Sequence, residues 1–185
     1  MAPKKMQISQ EAFDEAVREN MDEFDMDEEE AVNSAIEEFK AQGVSLAGIV
    51  KSFGAKRDQH PIVLATKTIE DFLAAGNGKQ ALDDAEAILA AAKEIRDAVS
   101  SNEDLALASK SGTLEAVIAS CAALKEQPAV TAKLLSLVSA LLAVNATREL
   151  FIRSGGVHVV CGLLKEYPDD RELQRAAMAV VAAAC

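Results

Sequence analysis

Apolar residues recur along this chain at three- and four-residue steps, and the polar positions between them carry the punctuation of helices. Ser9 stands where an N-cap is needed, Glu11 falls in the first turn, and Phe13, Ala16, Val17, Met21 and Phe24 form one apolar stripe. Such a stripe is expected to be the buried side of a hairpin. Asp27, with Glu30 three residues on, announces a second helix carrying Ala31, Val32, Ala35, Ile36 and Phe39, and Gly43 supplies the residue just past its end. Residues 1–50 are therefore expected to form a helical hairpin, with one short turn added at 45–50. Residues 51–61 include Gly54, Lys56, Arg57, Asp58 and Pro61 and have no apolar periodicity, so they are expected to be a protease-sensitive linker.

From Ile62 onward the helical pattern continues to the end, broken only at marks such as Gly112, Pro128, Gly155-Gly156 and Pro168. Helices are predicted at roughly 62–75, 79–100, 103–110, 113–125, 129–143, 146–153, 157–166 and 170–185. Asn102 to Leu114 overlies Asn145 to Val157 at a constant offset of 43, which brings Gly112 onto Gly155. Further on, Leu124-Lys125-Glu126 answers Leu164-Lys165-Glu166, which implies a deletion of three or four residues before the last helix. A short helix, a glycine bend, a medium helix, a turn and a longer helix form a repeat of about 40–47 residues.

The stretch from Asn145 through Gly155 and Leu164, followed by Asp170 to Val180, resembles the armadillo consensus. The block Ile8, Glu11, Phe13, Ala16, Val17 to Phe24, then Ala31-Val32, Phe39, Gly43 and Ile49-Val50-Lys51, resembles the opening of the armadillo repeat-containing protein 6 family. The resemblance implies an all-α fold: an armadillo-like α-solenoid, a right-handed superhelix of stacked helices occupying 62–185, preceded by the acidic hairpin. It also implies a longer protein with further repeats. The expected function is a protein-interaction scaffold that binds its partner on a concave surface built by third helices, here 129–143 and 170–185. The alternative is a regulatory or structural tether acting through the N-terminal hairpin. Candidate surface residues are Ser136, Ser139, Ala143, Arg175, Met178 and Ala182. Import-receptor armadillo proteins carry Asn, and Trp one turn earlier, on their third helices. Those positions hold Ala143 and Ala182, and Ser139 and Met178, so that mode of binding is not expected.

Composition narrows the partners. The chain has 185 residues and a formal charge of −11, with seven Lys or Arg against fourteen Asp or Glu in the first 60 residues. An acidic chain without a basic, aromatic-interleaved stripe is not expected to bind nucleic acid or anionic membranes. No stretch reaches the length of a membrane span, and the opening residues lack an apolar secretory core, so a cytoplasmic location, with the nucleus also open, is expected. Cys121, Cys161 and Cys185 are expected to be reduced and mostly buried.

His60 and His158 have no local nucleophile or metal partner, and no cysteine pair has zinc spacing, so neither an enzyme nor a cofactor is expected. Gly76-Asn77-Gly78-Lys79 lacks the first Gly and the Ser or Thr of a phosphate loop and reads as a turn between helices. The acidic run 25–30 lacks the order of a calcium loop and suits a helix N-terminus. Asn145-Ala146-Thr147 matches a glycosylation sequon by accident.

Overall fold

The computed structural model describes residues 6–75 and 81–185. Among them eleven helices form and no strand does, apart from a single bridge between Gln7 and Ser45. They divide into two compact units, one running up to His60 together with Ser101–Leu107, the other comprising Pro61–Ser100 and Ala108–Cys185.

In the first unit α1 (Gln10–Phe24) begins at Ser9, whose hydroxyl accepts from the Ala12 amide. The next helix, α2 (Glu28–Ala41), begins at Asp27, whose carboxylate accepts from the amides of Glu29 and Glu30. Three glutamates fill its first turn, where the helix dipole favours negative charge. Asp25, in the left-handed conformation at φ 54°, and Gly43, at φ 74°, end the two helices. The hairpin closes on Phe13, Val17, Ala31, Ala35 and Ile49. Phe24 departs from the expected stripe: it is 64% exposed, because α1 stops there and the chain turns at Asp25 before α2 can cover it.

Residues 51–60 are not a free linker. They contain a short helix, α3 (Gly54–Asp58), and belong to the first unit. Gln10 both donates to the Val50 carbonyl and accepts from the Val50 amide, each at 2.9 Å. Arg57 grips Asp14 with two parallel hydrogen bonds of 2.8 and 2.7 Å and donates a third to the Ser52 carbonyl. The Phe53 ring lies under two guanidinium groups, those of Arg18 and Arg57. Lys51 reaches Glu103 at 3.1 Å, and His60 lies 3.7 Å from Asp104, both acids being near the start of α6 (Asn102–Lys110). Burial alone would push the Asp14 carboxyl up, but the hydrogen bonds from Arg57 and Gln10 and the charges of Arg57 and Arg18 outweigh it and hold the group below its ordinary value.

The second unit is a stack of two helical layers. One layer contains α4 (Pro61–Ala74), α7 (Thr113–Ala123) and α10 (Gly156–Glu166), with α4 against α7 and α7 against α10. The other contains α5 (Ala81–Ala98), α8 (Pro128–Leu141) and α11 (Arg171–Ala184), with α8 between the other two. Between the layers α4 pairs with α5, α7 with α8 and α10 with α11, while α9 (Asn145–Arg153) takes the first-helix position of its repeat. This is the arrangement of an α-solenoid, in which each unit buries its apolar face only against its neighbours.

Helix bounds keep one offset throughout: α6 and α9, α7 and α10, and α8 and α11 each begin and end 43 residues apart. The deletion inferred from the Leu-Lys-Glu match is therefore absent. That match fell on residues about one helical turn out of register, which apolar periodicity tolerates. Gly112 and Gly155, at φ 73° and 78°, are equivalent bends. Next to them the two repeats exchange bulk: Ala108 and Thr113 in one correspond to Phe151 and Gly156 in the other, all four buried. A Cβ on Gly156 would run into the Phe151 ring. Thr113 instead meets Thr66 at 2.7 Å. Since the Thr66 hydroxyl proton goes to the Ile62 carbonyl, Thr113 is the donor in that pair.

Two predictions follow from these contacts. The folded Asp14 carboxyl is depressed, so its contribution to stability is present above about pH 4 and fades as pH falls through the folded value. Asp14→Asn is expected to weaken the hold of Arg57 on α1 by about 2 kcal/mol, a roughly thirtyfold larger population in which residues 51–60 are detached. Limited trypsin digestion at neutral pH should then cut after Arg57 correspondingly faster, and the difference from the parent in urea stability should vanish on acidification. Separately, Gly155→Ala and Gly156→Ala should each cost about 1–3 kcal/mol in thermal unfolding, the first through backbone strain and the second through overpacking. Phe151→Leu should relieve only the second in a double-mutant cycle.

Candidate interaction surface

The α8 helix owes its two faces to its sequence, PAVTAKLLSLVSAL. Thr131, Ala132, Leu134, Leu135, Leu137, Val138 and Leu141 are buried, leaving small and polar residues outside. Pro128 at its first turn lacks the amide that would go unsatisfied there. Thr131 donates to the Leu124 carbonyl at 2.9 Å, anchoring α8 to the end of α7. The residue at the corresponding place in α11, Gln174, does the same, donating to the carbonyls of Leu164 and Tyr167. Asp170 caps α11 through the amides of Glu172 and Leu173. Thr147 and Arg148 donate to the Leu141 and Leu142 carbonyls and so satisfy the far end of α8.

Every candidate residue reaches solvent: Ser136, Ala143, Arg175, Met178 and Ala182 are exposed, and Ser139 is half-buried. Five lie on α8 or α11, the most extensively packed helix pair among the described residues, and Ala143 lies two residues past the end of α8. Ser139 donates to the Ala179 carbonyl at 3.4 Å, so lateral neighbours are separated by 40 residues although equivalent positions are separated by 43. That stagger brings Ser139 against the backbone of Ala179 rather than that of its repeat equivalent, Ala182. Met178, 56% exposed, is the largest apolar side chain of the six.

The same layer holds a feature outside the predicted set. Between α5 and α8 an open cleft of about 290 Å³ is lined by Leu89, Ala92 and Leu137, with Lys93, Arg96 and Lys133 beside them. Lys133 is the only charged residue of α8, a signal visible in the sequence; its association with Lys93 and Arg96 is not.

Other groups considered for chemistry have structural explanations. His158 is exposed on α10. Cys121 is buried, and burial pushes its thiol up to about 12, whereas Cys161 and Cys185 are exposed, contrary to the expectation of mostly buried thiols. Thr147 of the sequon is buried and donates to backbone carbonyls. Gly76 to Lys79, expected to form a turn, lie outside the described residues. Among the described residues no group of three or more His, Cys, Asp or Glu is placed to hold a metal, and no helix is long and apolar enough to cross a membrane.

Residues 5–62 match the Armadillo repeat-containing protein 6 N-terminal domain. That match continues through the segment with linker composition and ends just past His60, the last residue of the first stretch of unit one. Armadillo repeat-containing protein 6 of Homo sapiens is 39% identical over 79 residues, which cover 40% of this chain and 16% of that protein. The Drosophila melanogaster homolog is 50% identical over 44 residues, 24% of this chain and 10% of that protein. The matched stretch thus spans only a small part of the curated relatives' own length. No solved structure matches the chain. The capped hairpin and its pinned second segment thus coincide with the part of this chain that is similar to the N-terminal domain of Armadillo repeat-containing protein 6.

Proposed function

We propose that the chain is a protein-interaction scaffold whose partner lies along the layer formed by α5, α8 and α11. The armadillo family name supports an interaction module without catalysis in the general sense. The single observation that carries the finer reading is the outer face of α8 and α11. There an exposed Met178 and the exposed small or polar residues Ser136, Ala140 and Ala182 lie on two helices packed against each other and on the layer beneath. A firm backbone with short side chains allows close approach of another chain, and an exposed methionine adapts to varied apolar surfaces. The tether reading rests on Phe24, which is 64% exposed at the acidic end of α1.

Affinity capture with the purified chain, quantified by mass spectrometry, separates the two. The Ser136→Arg and Ala182→Arg pair should reduce the enriched partner at least about tenfold, as expected when bulk and charge enter an interface centre, whereas Phe24→Glu should leave it unchanged. Loss with Phe24→Glu and retention with the α8/α11 pair would establish the tether and refute the scaffold.

A further inference from the structure

The cleft between α5 and α8 differs in kind from the rest of this acidic chain. Its floor is apolar, from Leu89, Ala92 and Leu137, and the three charged groups that line it, Lys93, Arg96 and Lys133, are all cations. Among the described side chains of α5, the carboxylates of Glu86, Glu94 and Asp97 are not part of the lining. None of the three cations has an ion-pair partner among the described residues, although the chain carries 30 acidic residues against 19 basic ones. Arg96 lies in the last turn of α5, where a cation also suits the helix dipole, but the dipole does not account for Lys93 or for Lys133 in the middle of α8.

At about 290 Å³ the cleft falls just under the range of about 300–1,000 Å³ common for small-molecule sites, and it is open to solvent. It suits one apolar side chain of a larger partner rather than an enclosed metabolite. We infer that this cleft receives an acidic segment of a partner protein, with an apolar side chain on the Leu89, Ala92 and Leu137 floor and flanking carboxylates on Lys93, Arg96 and Lys133. The inference rests on the scaffold reading and names the class of partner. Exposed cations of this kind contribute mainly to steering and selectivity, while the apolar anchor contributes affinity. If the lysine stems served only to cover the apolar floor, the cleft would not distinguish an acidic segment from a basic one.

The test uses the whole chain, isotopically labelled, and two synthetic peptides of equal length. One carries Glu around a central Leu and the other carries Lys at the same positions. In amide-resolved NMR titrations the Glu/Leu peptide should give saturable shifts confined to 89–96 and 133–137, with a Kd below about 1 mM that weakens as salt is raised. The Lys/Leu peptide should bind at least about tenfold more weakly, and Lys93→Glu with Lys133→Glu should reverse that order. Both substituted positions are exposed, and an unchanged melting temperature verifies the fold. Equal binding of the two peptides, shifts mapping elsewhere, no saturation, or tighter binding of a single-stranded oligonucleotide at the same site would each overturn the inference. Capture that is lost with the Ser136→Arg and Ala182→Arg pair but kept with the Lys93→Glu and Lys133→Glu pair would leave the scaffold standing and refute the acidic-segment cleft alone.

Discussion

The second unit depends on the burial of α8. Seven of its fourteen residues are buried, and it packs on α5 and α11 sideways and on α7 beneath. A solenoid has no single enclosed core, so its cohesion is close to a sum of neighbour contacts, and within its own layer α8 is the helix flanked on both sides. Everything proposed for function follows from that placement. The face of α8 not used for packing carries Lys133 and Ser136, and the groove between it and α5 is the cleft. By contrast only Leu173, Ala177 and Val180 are buried in α11, which leaves Met178 and Val181 to solvent.

The first unit is held by a different physics. Its hairpin core is small, with many of its apolar residues only partly buried, and directional contacts add what area cannot. The bidentate Arg57 grip on Asp14 is the strongest of these, being charge-assisted, matched in geometry and mostly shielded from water. Gln10 adds a two-way clamp on the Val50 backbone. These contacts turn a segment of loop-like composition into part of the domain, which accounts for a family match that runs on to residue 62.

Much of this was legible in the sequence, for identifiable reasons. Ser9, Asp27 and Gly43 carry local signals, and each sits at the cap expected of it. The helices after Ile62 have strong apolar periodicity, and Gly112 and Gly155 fix the repeat because a left-handed bend tolerates little else. What was not legible lies in side chains distant along the chain. Asp14 and Arg57 are 43 residues apart, and nothing near Arg57 reveals its partner. Phe24 falls in the stripe by its spacing yet is exposed, because periodicity cannot tell where the covering helix begins. Likewise Lys93 and Arg96 meet Lys133 only because α5 lies against α8.

Native-state hydrogen exchange resolved by residue tests the central claim most directly. Amides of α8 should exchange more slowly than those of α11, by the free energy of the second flanking helix that α8 has in its layer. They should also be slower than those of α1 and α2, whose small core opens more readily. Protection in α11 equal to or greater than that in α8, measured on a monomeric sample, would contradict the account, since the layer would then not be organised around α8.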